Sequence, residues 1–209
     1  MKIVGIVCTP RIGGNSEILV KQILDGAIKA GAESEIIFVR DKKIQFCDGC
    51  MKCIKSGKCH LIDDMEEIGE KLVTSDGMVI GVPTYWTIGG MGVAFLDRLL
   101  PFVSSGRFAN KVGAGIVVSA RIAADTAAGI LRRFFIYSHM LCVECVAHYG
   151  TVPGDVIKNE YAMKSAWEIG RLMVLFKENG NRYPEEYSVP LSNYVKKKYG
   201  DDIYPYHSS

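Results

Sequence analysis

Residues 2–19 read KIVGIVCTPRIGGNSEIL, and the class of the fold is decided within them. A β-branched run (KIVGIV) breaks at Thr9-Pro10-Arg11, and Gly13-Gly14-Asn15-Ser16 then opens apolar positions Ile18, Leu19, Ile23 and Ala27 at helical spacing. This order predicts strand, loop and helix, and the alternation recurs along the chain. Gly31 ends the first helix, and further strands are expected at 35–39 (EIIFV), 78–82 (MVIGV, stopped by Pro83), 112–118 (VGAGIVV) and 142–149. Helices are expected at about 65–74, 95–102, 123–138 and 161–176, the first of them opened by Asp64 with Glu67 three residues later, as in a capping box. Continuous apolar strands need cover on both faces, and parallel crossovers need helices, so the pattern predicts a doubly wound α/β domain.

The chain has 209 residues, 48% hydrophobic and 23% charged, a length and balance suited to one domain over 1–178 with an arm at 179–209. That arm carries Tyr183, Tyr187, Tyr194, Tyr204 and Tyr206 without a clear period, and reads as packing on the domain or a neighbour, or as a disordered tail. A net charge of +2 with interspersed signs does not ask for nucleic acid, and Lys196-Lys197-Lys198 reads as a solvated face. The first apolar run is too short for a signal-peptide core and no stretch reaches membrane-spanning length, so a cytoplasmic chain is expected. Seven cysteines in such a compartment are read first as metal ligands or redox groups.

Two loops carry the chemistry. After the first strand, Thr9, Asn15 and Ser16 offer short hydrogen-bonding side chains, Arg11 offers charge, and the following helix offers unpaired N–H groups to an anion. The loop suits a phosphate, although Gly-Gly-Asn-Ser also serves as an ordinary turn and N-cap. It is neither a P-loop nor a GxGxxG fingerprint.

Thr-x-Arg-x-x-x-Asn-Ser after the first strand, together with Pro83-Thr84-Tyr85-Trp86 after the third, resembles the NADPH-dependent FMN reductase and iron–sulfur flavoprotein group over about residues 2–150. The resemblance implies a flavodoxin-like five-stranded sheet of order 2-1-3-4-5. It implies that Thr9, Arg11, Asn15 and Ser16 hold the FMN phosphate and that Pro83, Thr84, Tyr85 and Trp86 line the isoalloxazine. A fixed Pro turn and aromatic rings suit a flat ring with polar edges. Gly90 and Phe95-Leu96-Asp97-Arg98 match the helix that follows, while Val93 stands where those families often have Lys. The Gly-rich stretch common after their fourth strand is Ser119-Ala120-Arg121 here, which assigns Ser119 and Arg121 to the flavin as well.

Within the unpatterned segment 41–62, Cys47, Cys50, Cys53 and Cys59 stand as C-x2-C-x2-C-x5-C. A [4Fe–4S] cubane needs one thiolate per iron, and three cysteines two residues apart can wrap it from one turn of chain. Gly49 and Gly57 supply backbone freedom, and Lys52, Lys55 and Lys58 offset thiolate charge. Zinc and metal-free thiols are the competing readings. The resemblance favours the cluster, because all four cysteines stand at the compact spacing of the iron–sulfur flavoproteins.

The remaining candidates read as structural. Cys142 and Cys145 lie three apart in a strand, where such positions face opposite sides. Cys8 reads as a small buried residue near the phosphate, His60 as loop packing or a group tuning the ligands, and His139 and His148 as structural. Ala123, Ala124, Ala127, Ala128 and Gly129 make a smooth face for the sheet or for a partner in a homo-oligomer, dimer or tetramer. The resulting expectation is an electron-transfer protein taking single electrons from ferredoxin or a similar donor. An NAD(P)H-dependent FMN or quinone reductase without a cluster, and a redox-sensing binding protein, are the alternatives.

Overall fold

The computed structural model describes residues 1–188 and Asn193. In chain order it forms β1 (Lys2–Val7), α1 (Asn15–Lys29), β2 (Glu33–Phe38), α2 (Lys52–Ser56), α3 (Met65–Thr74), β3 (Gly77–Pro83), α4 (Gly90–Asp97), α5 (Leu100–Ser104), β4 (Val112–Ser119), α6 (Ala124–Tyr137), β5 (Leu141–Tyr149) and α7 (Glu160–Glu178). The five strands are parallel in the order β2-β1-β3-β4-β5, the flavodoxin-like topology.

Alternation within each strand sends side chains to two separate cores. Ile3 and Val7 of β1 meet Leu19, Val20 and Ile23 of α1 and Ile169, Met173 and Val174 of α7 on one face. Val4 and Ile6 meet Ile68 and Leu72 of α3, Phe95 of α4, and Leu131 and Phe135 of α6 on the other. Each fully buried side chain of this size contributes about 1.5–3 kcal/mol of transfer free energy, and the paired cores fix the register of the sheet. The chain turns from β2 back across β1 to β3, so the strand order reverses between β1 and β3. A ligand crevice belongs at that reversal, beyond the carboxyl ends of the strands.

Four local expectations are corrected. The helix foreseen at 95–102 is two helices, α4 and α5, because Pro101 stands at the first turn of α5 and has no N–H to continue the ladder from α4. The strand foreseen at 35–39 ends at Phe38, and Val39–Asp41 turn as a 3-10 helix. The capping box does not form, since the Asp64 carboxylate accepts from the Lys43 N–H at 2.8 Å and Asp64 makes no side-chain cap.

The fourth correction concerns β5. Cys142 pairs with Gly113 and Glu144 with Ala114, leaving Val143 as the extra residue of a β-bulge. The bulge breaks the alternation, and Cys142 and Cys145 come to one side with their sulfurs 3.7 Å apart.

Beyond α7, the Tyr183 N–H donates to Asn110 Oδ1 and both Tyr183 and Tyr187 lie against His139, so the start of the arm packs on its own domain. The alanine face divides likewise, with Ala124, Ala127 and Ala128 in the core beside the sheet. Tyr194, Tyr204, Tyr206 and the lysine run at 196–198 lie outside the described residues.

A candidate cofactor site at the carboxyl edge of the sheet

The crevice at the strand reversal is lined by Thr9, Arg11, Gly14, Asn15 and Ser16 from the first loop, Pro83, Thr84 and Tyr85 from the loop after β3, and Val118, Ala120, Gly150 and Thr151 from the ends of β4 and β5. It offers a volume of about 170 Å³. Thr9, Asn15 and Ser16 are buried there, while Arg11 is exposed at the mouth, with its Nη1 3.4 Å from the Thr151 carbonyl. Helix α1 starts at this loop after Gly14, with no side chain capping it. Its first N–H groups, which have no carbonyl four residues back, therefore remain available to an acceptor.

The loop is held by groups that pattern reading did not single out. Glu17, buried in the first turn of α1, accepts from the Gly13 N–H and pairs with both Lys21 and Arg40. Burial opposes ionisation of Glu17, but hydrogen bonds from Lys21, the Gly13 N–H and Arg40 outweigh it and hold the carboxyl below its ordinary value. Asn15 spends its amide on the opposite wall, donating to the Val152 carbonyl at 2.9 Å and accepting from the Gly154 N–H at 2.9 Å. That tie needs a glycine at 150, where a Cβ would stand 2.6 Å from Asn15 Nδ2. The only sequence signal for this wall was its position just past the fifth strand.

Across the crevice, the Thr84 N–H donates to the Val118 carbonyl, and a bridge from Thr84 to Ile88 closes the turn. Thr84 Oγ1 is buried without a hydrogen-bond partner. An unpaired buried hydroxyl is costly, and a polar ligand edge in this crevice would satisfy it. Tyr85, 60% exposed, lines the rim and offers a surface for a flat group, while Trp86, the next residue, is 92% exposed and outside the lining. Ser119 and Arg121 do not line the crevice: the Ser119 hydroxyl donates to the Ile122 carbonyl and accepts from the Arg121 N–H, closing a turn with Arg121 exposed. Anion-binding N–H groups, a charge at the mouth, a buried unpaired hydroxyl and an aromatic rim form a donor set that fits a flavin mononucleotide.

The cysteine loop leaves the same edge after β2. Its base is closed by the Lys43 N–H to Asp64, the Gln45 N–H to Asp63 and the Asp64 N–H to the Lys43 carbonyl. Arg98, at the end of α4 and only 2% exposed, lies beneath it. The Arg98 guanidinium donates to both oxygens of Asp63 at 2.6 and 3.0 Å, to the Gln45 carbonyl at 2.8 Å and to the Leu61 carbonyl at 3.3 Å. Burial opposes the Asp63 charge, but Arg98 and the N–H groups of Gln45 and Met65 hold its carboxyl below the ordinary value.

Above this base the chain wraps tightly. Gly49 and Gly57 adopt φ of 73° and 68°, the left-handed freedom expected of them, and Met51 shares that region at 57°. Cys53 and Ile54 are buried in α2, Cys50 and Cys59 are half-buried, and Cys47 is exposed. Burial, then the neighbouring Cys59, Cys50 and Cys47, push the Cys53 thiol up to about 11. Cys47, Cys50 and Cys59 thus each oppose ionisation of Cys53, a charge that bound iron would neutralise. The Arg98 Nε is buried with no hydrogen-bond partner, and the nearby Cys59 favours the charge on Arg98. His60 pairs with Asp48 at 2.7 Å, and Asp48 also accepts from the Cys50 N–H, so His60 clips the loop across itself. His148, by contrast, is buried in β5 with its ring against Tyr161, and burial lowers its pKa.

Comparison with known proteins agrees with this geometry. The model of the family described as NADPH-dependent FMN reductase matches residues 1–151. An iron–sulfur flavoprotein of Methanocaldococcus jannaschii is 33% identical over 184 residues, covering 82% of this chain and 94% of its own. An iron–sulfur flavoprotein of Archaeoglobus fulgidus is 29% identical over 210 residues, covering 96% and 93%. Among solved structures, a flavone reductase superposes with a TM-score of 0.71 at 18% identity over 88% of this chain and 66% of its own. An archaeal flavodoxin does so at 0.56 and 15% over 85% and 99%, which supports the fold alone.

Proposed function

Given that this chain belongs to the iron–sulfur flavoproteins of the NADPH-dependent FMN reductase family, we propose that it is an electron-transfer flavoprotein. In this reading it takes single electrons from a small acidic protein donor such as ferredoxin and delivers them in pairs. The observation that carries it is the tightly turned loop bearing Cys47, Cys50, Cys53 and Cys59, which leaves the same sheet edge as the phosphate crevice. FMN supplies one- and two-electron chemistry when bound, and a [4Fe–4S] cluster supplies one-electron chemistry.

The residues of the chain position and tune. Thr9, Ser16 and the first N–H groups of α1 would bind the phosphate, with Arg11 at the mouth and Asn15 holding the far wall. Pro83, Thr84, Tyr85 and Trp86 would orient the ring, Thr84 through its unpaired hydroxyl. Asp63 and Arg98 fix the cysteine loop.

The sequence spacing of the cysteines, C-x2-C-x2-C-x5-C, supports a cubane over zinc. Zinc sites with four cysteines usually pair two separate Cys-x2-Cys knuckles, whereas here Cys50 would belong to both. A cubane, with iron at separate corners, takes three cysteines two residues apart and a fourth further on.

The donor assignment rests on charge. Lys52, Lys55 and Lys58 are exposed around the cysteines, and complementary charge speeds encounter with an acidic partner. A direct NAD(P)H-dependent reductase is the second reading, favoured by the exposed rings of Tyr85 and Trp86, where a nicotinamide could stack. Anaerobic purification followed by iron, zinc and FMN analysis, then stopped-flow reduction, separates the two. The expected result is about four irons and one FMN per chain, with reduced ferredoxin acting far faster than NADH or NADPH. Stoichiometric zinc without iron, or NADPH reduction unaffected by Cys50→Ala and faster than ferredoxin, would overturn the proposal.

A further inference from the structure

Strand β5 is the outer edge of the sheet beside β4, and its bulge at Val143 does more than bend the strand. A regular strand would put Cys142 and Cys145 on opposite faces. The bulge puts both toward α6, with their sulfurs 3.7 Å apart. The pair is asymmetric: Cys142 is half-buried and Cys145 is 4% exposed. Arg132 of α6 reaches over the pair and donates to the Cys145 carbonyl at 3.1 Å.

The two sulfurs have different chemistry for that reason. The hydrogen bond shared with Cys145 and the positive charge of Arg132 outweigh burial and the Glu144 charge to lower the Cys142 pKa. Cys145, which shares that hydrogen bond and is buried, is held protonated. A reachable thiol that ionises first, backed by a buried neutral one, is the arrangement that thiol–disulfide exchange requires. Cys8, buried away from the other cysteines, has no such partner.

We propose that Cys142 and Cys145 form a second redox site, separate from the cysteine loop and the flavin crevice, whose substrates are disulfides. The Cys142 thiolate attacks one sulfur of a disulfide RS–SR, forming a Cys142–SR bond and releasing RS⁻. The Cys145 thiol then gives up its proton, attacks Cys142 Sγ and releases the second RS⁻. The protein dithiol is oxidised by two electrons, the disulfide is reduced to two thiols, and the two protein protons go to the two leaving thiolates. Closing the bond brings the sulfurs from 3.7 Å to about 2.05 Å. The strand partners of the two cysteines, Gly113 and Gly115, are two residues apart, roughly 6.6 Å at strand spacing, near the upper end of what a disulfide spans, so closure draws on side-chain rotation together with the backbone at the bulge.

The test uses the full-length protein with its cofactors, kept anaerobic and titrated with glutathione disulfide against glutathione. Samples are acid-quenched, alkylated and digested with trypsin. The peptide 134–158 contains Cys142, Cys145 and no other cysteine, so its state is read apart from the cysteine loop. The folded protein should form an internal disulfide in this peptide. Cys145→Ser should accumulate glutathione on Cys142, and Cys142→Ser should react at Cys145 at least tenfold more slowly, with the flavin spectrum reporting that each variant is folded. A wild-type peptide that keeps both thiols alkylatable until the protein unfolds would overturn the proposal even if neither variant folds, and so would equal adduct rates in two folded variants.

Discussion

The loop after β1 is suspended between a strand whose residues from Ile3 to Val7 are all buried and a helix of 15 residues, whereas the loop after β2 runs from Lys42 to Asp64 with only α2, five residues long, inside it. In the first, strand and helix ends place the N–H groups, and side chains refine them. In the second, the backbone turns sharply at Gly49, Met51 and Gly57, and a buried ion pair at the base supplies the order that secondary structure does not. One site is therefore a property of the fold and the other depends on a few long-range contacts. The difference predicts that they can be damaged independently.

The largest expected effect is the loss of one cofactor alone. Cys50→Ala should reduce bound iron from about four per chain to near zero, while the FMN content stays within experimental error of the unmodified protein. Metal analysis and the flavin absorption of the same sample decide it. Loss of both together would make the cysteine loop a general folding element and dissolve the contrast.

Next comes the base of the cysteine loop. Arg98 and Asp63 have side chains only 1% and 3% exposed, and removing one partner of such a pair leaves an uncompensated buried charge, typically costing about 3–5 kcal/mol. Arg98→Ala should lower stability to urea by that amount. Flavin affinity, measured on the folded protein, should change less than about threefold, under 1 kcal/mol. The pH dependence has a definite sign. The Asp63 carboxyl in the folded chain lies below its ordinary value of 3.8, so its contribution is complete above that value and is lost as pH falls from there toward the lower folded value. Asp63→Asn should flatten this acid limb. Urea titrations in a Cys50→Ala background, where no cluster is present to be released by acid, measure it, and an unchanged limb would remove Asp63 from the base of the loop.

What sequence reading captured and what it missed divide along the same line. Thr9 and Ser16 were legible as crevice residues from the local strand–loop–helix pattern, and Pro83 and Thr84 from the family resemblance. The Arg98 to Asp63 pair spans 35 residues, and a charge between the apolar pairs Phe95-Leu96 and Leu99-Leu100 was its only trace. Asp64 looked like the helix cap because a cap and a long-range tie use the same residue type, whereas Asp63 both accepts from the Met65 N–H at the start of α3 and pairs with Arg98. Pro101 breaks the helix foreseen at 95–102 because it has no N–H for the ladder, although the apolar periodicity runs on through it. The bulge at Val143 left no trace in the alternation of a nine-residue apolar strand, since an extra residue is defined only against the partner it fails to pair with.

A smaller effect sharpens the phosphate side. Arg11 stands at the crevice mouth, where its guanidinium reaches the Thr151 carbonyl only at 3.4 Å, so most of its hydrogen-bonding capacity is available to a ligand. Losing one charge-assisted hydrogen bond to phosphate costs about 1.5–3 kcal/mol, roughly ten- to a hundredfold in affinity. Arg11→Ala should weaken FMN by that factor and leave riboflavin, which has no phosphate, nearly unchanged. Equal weakening of both in a calorimetric titration would place Arg11 elsewhere than at the phosphate.

The smallest expected effect tests whether the cysteine loop, poor in regular structure, meets its donor through charge. Lys52 and Lys58 are exposed beside Cys53 and Cys59, and Lys58 makes only a long 3.7 Å contact with Glu66. An exposed pair of that length contributes little to stability, so reversing both charges should leave the fold and the iron content intact. It should still be felt by an approaching acidic protein, because steering acts over about 10 Å at 0.1 M salt. The Lys52→Glu, Lys58→Glu variant should be reduced by ferredoxin about three- to tenfold more slowly at low salt. The difference should vanish near 1 M, where screening shortens the reach to about 3 Å. Reduction by a small uncharged reductant should be unaffected at any salt, which separates steering from a change in the site itself. A slowdown that persists at high salt would mean that these lysines act through loop structure, and equal rates at low salt would move the donor's docking face away from the cysteines.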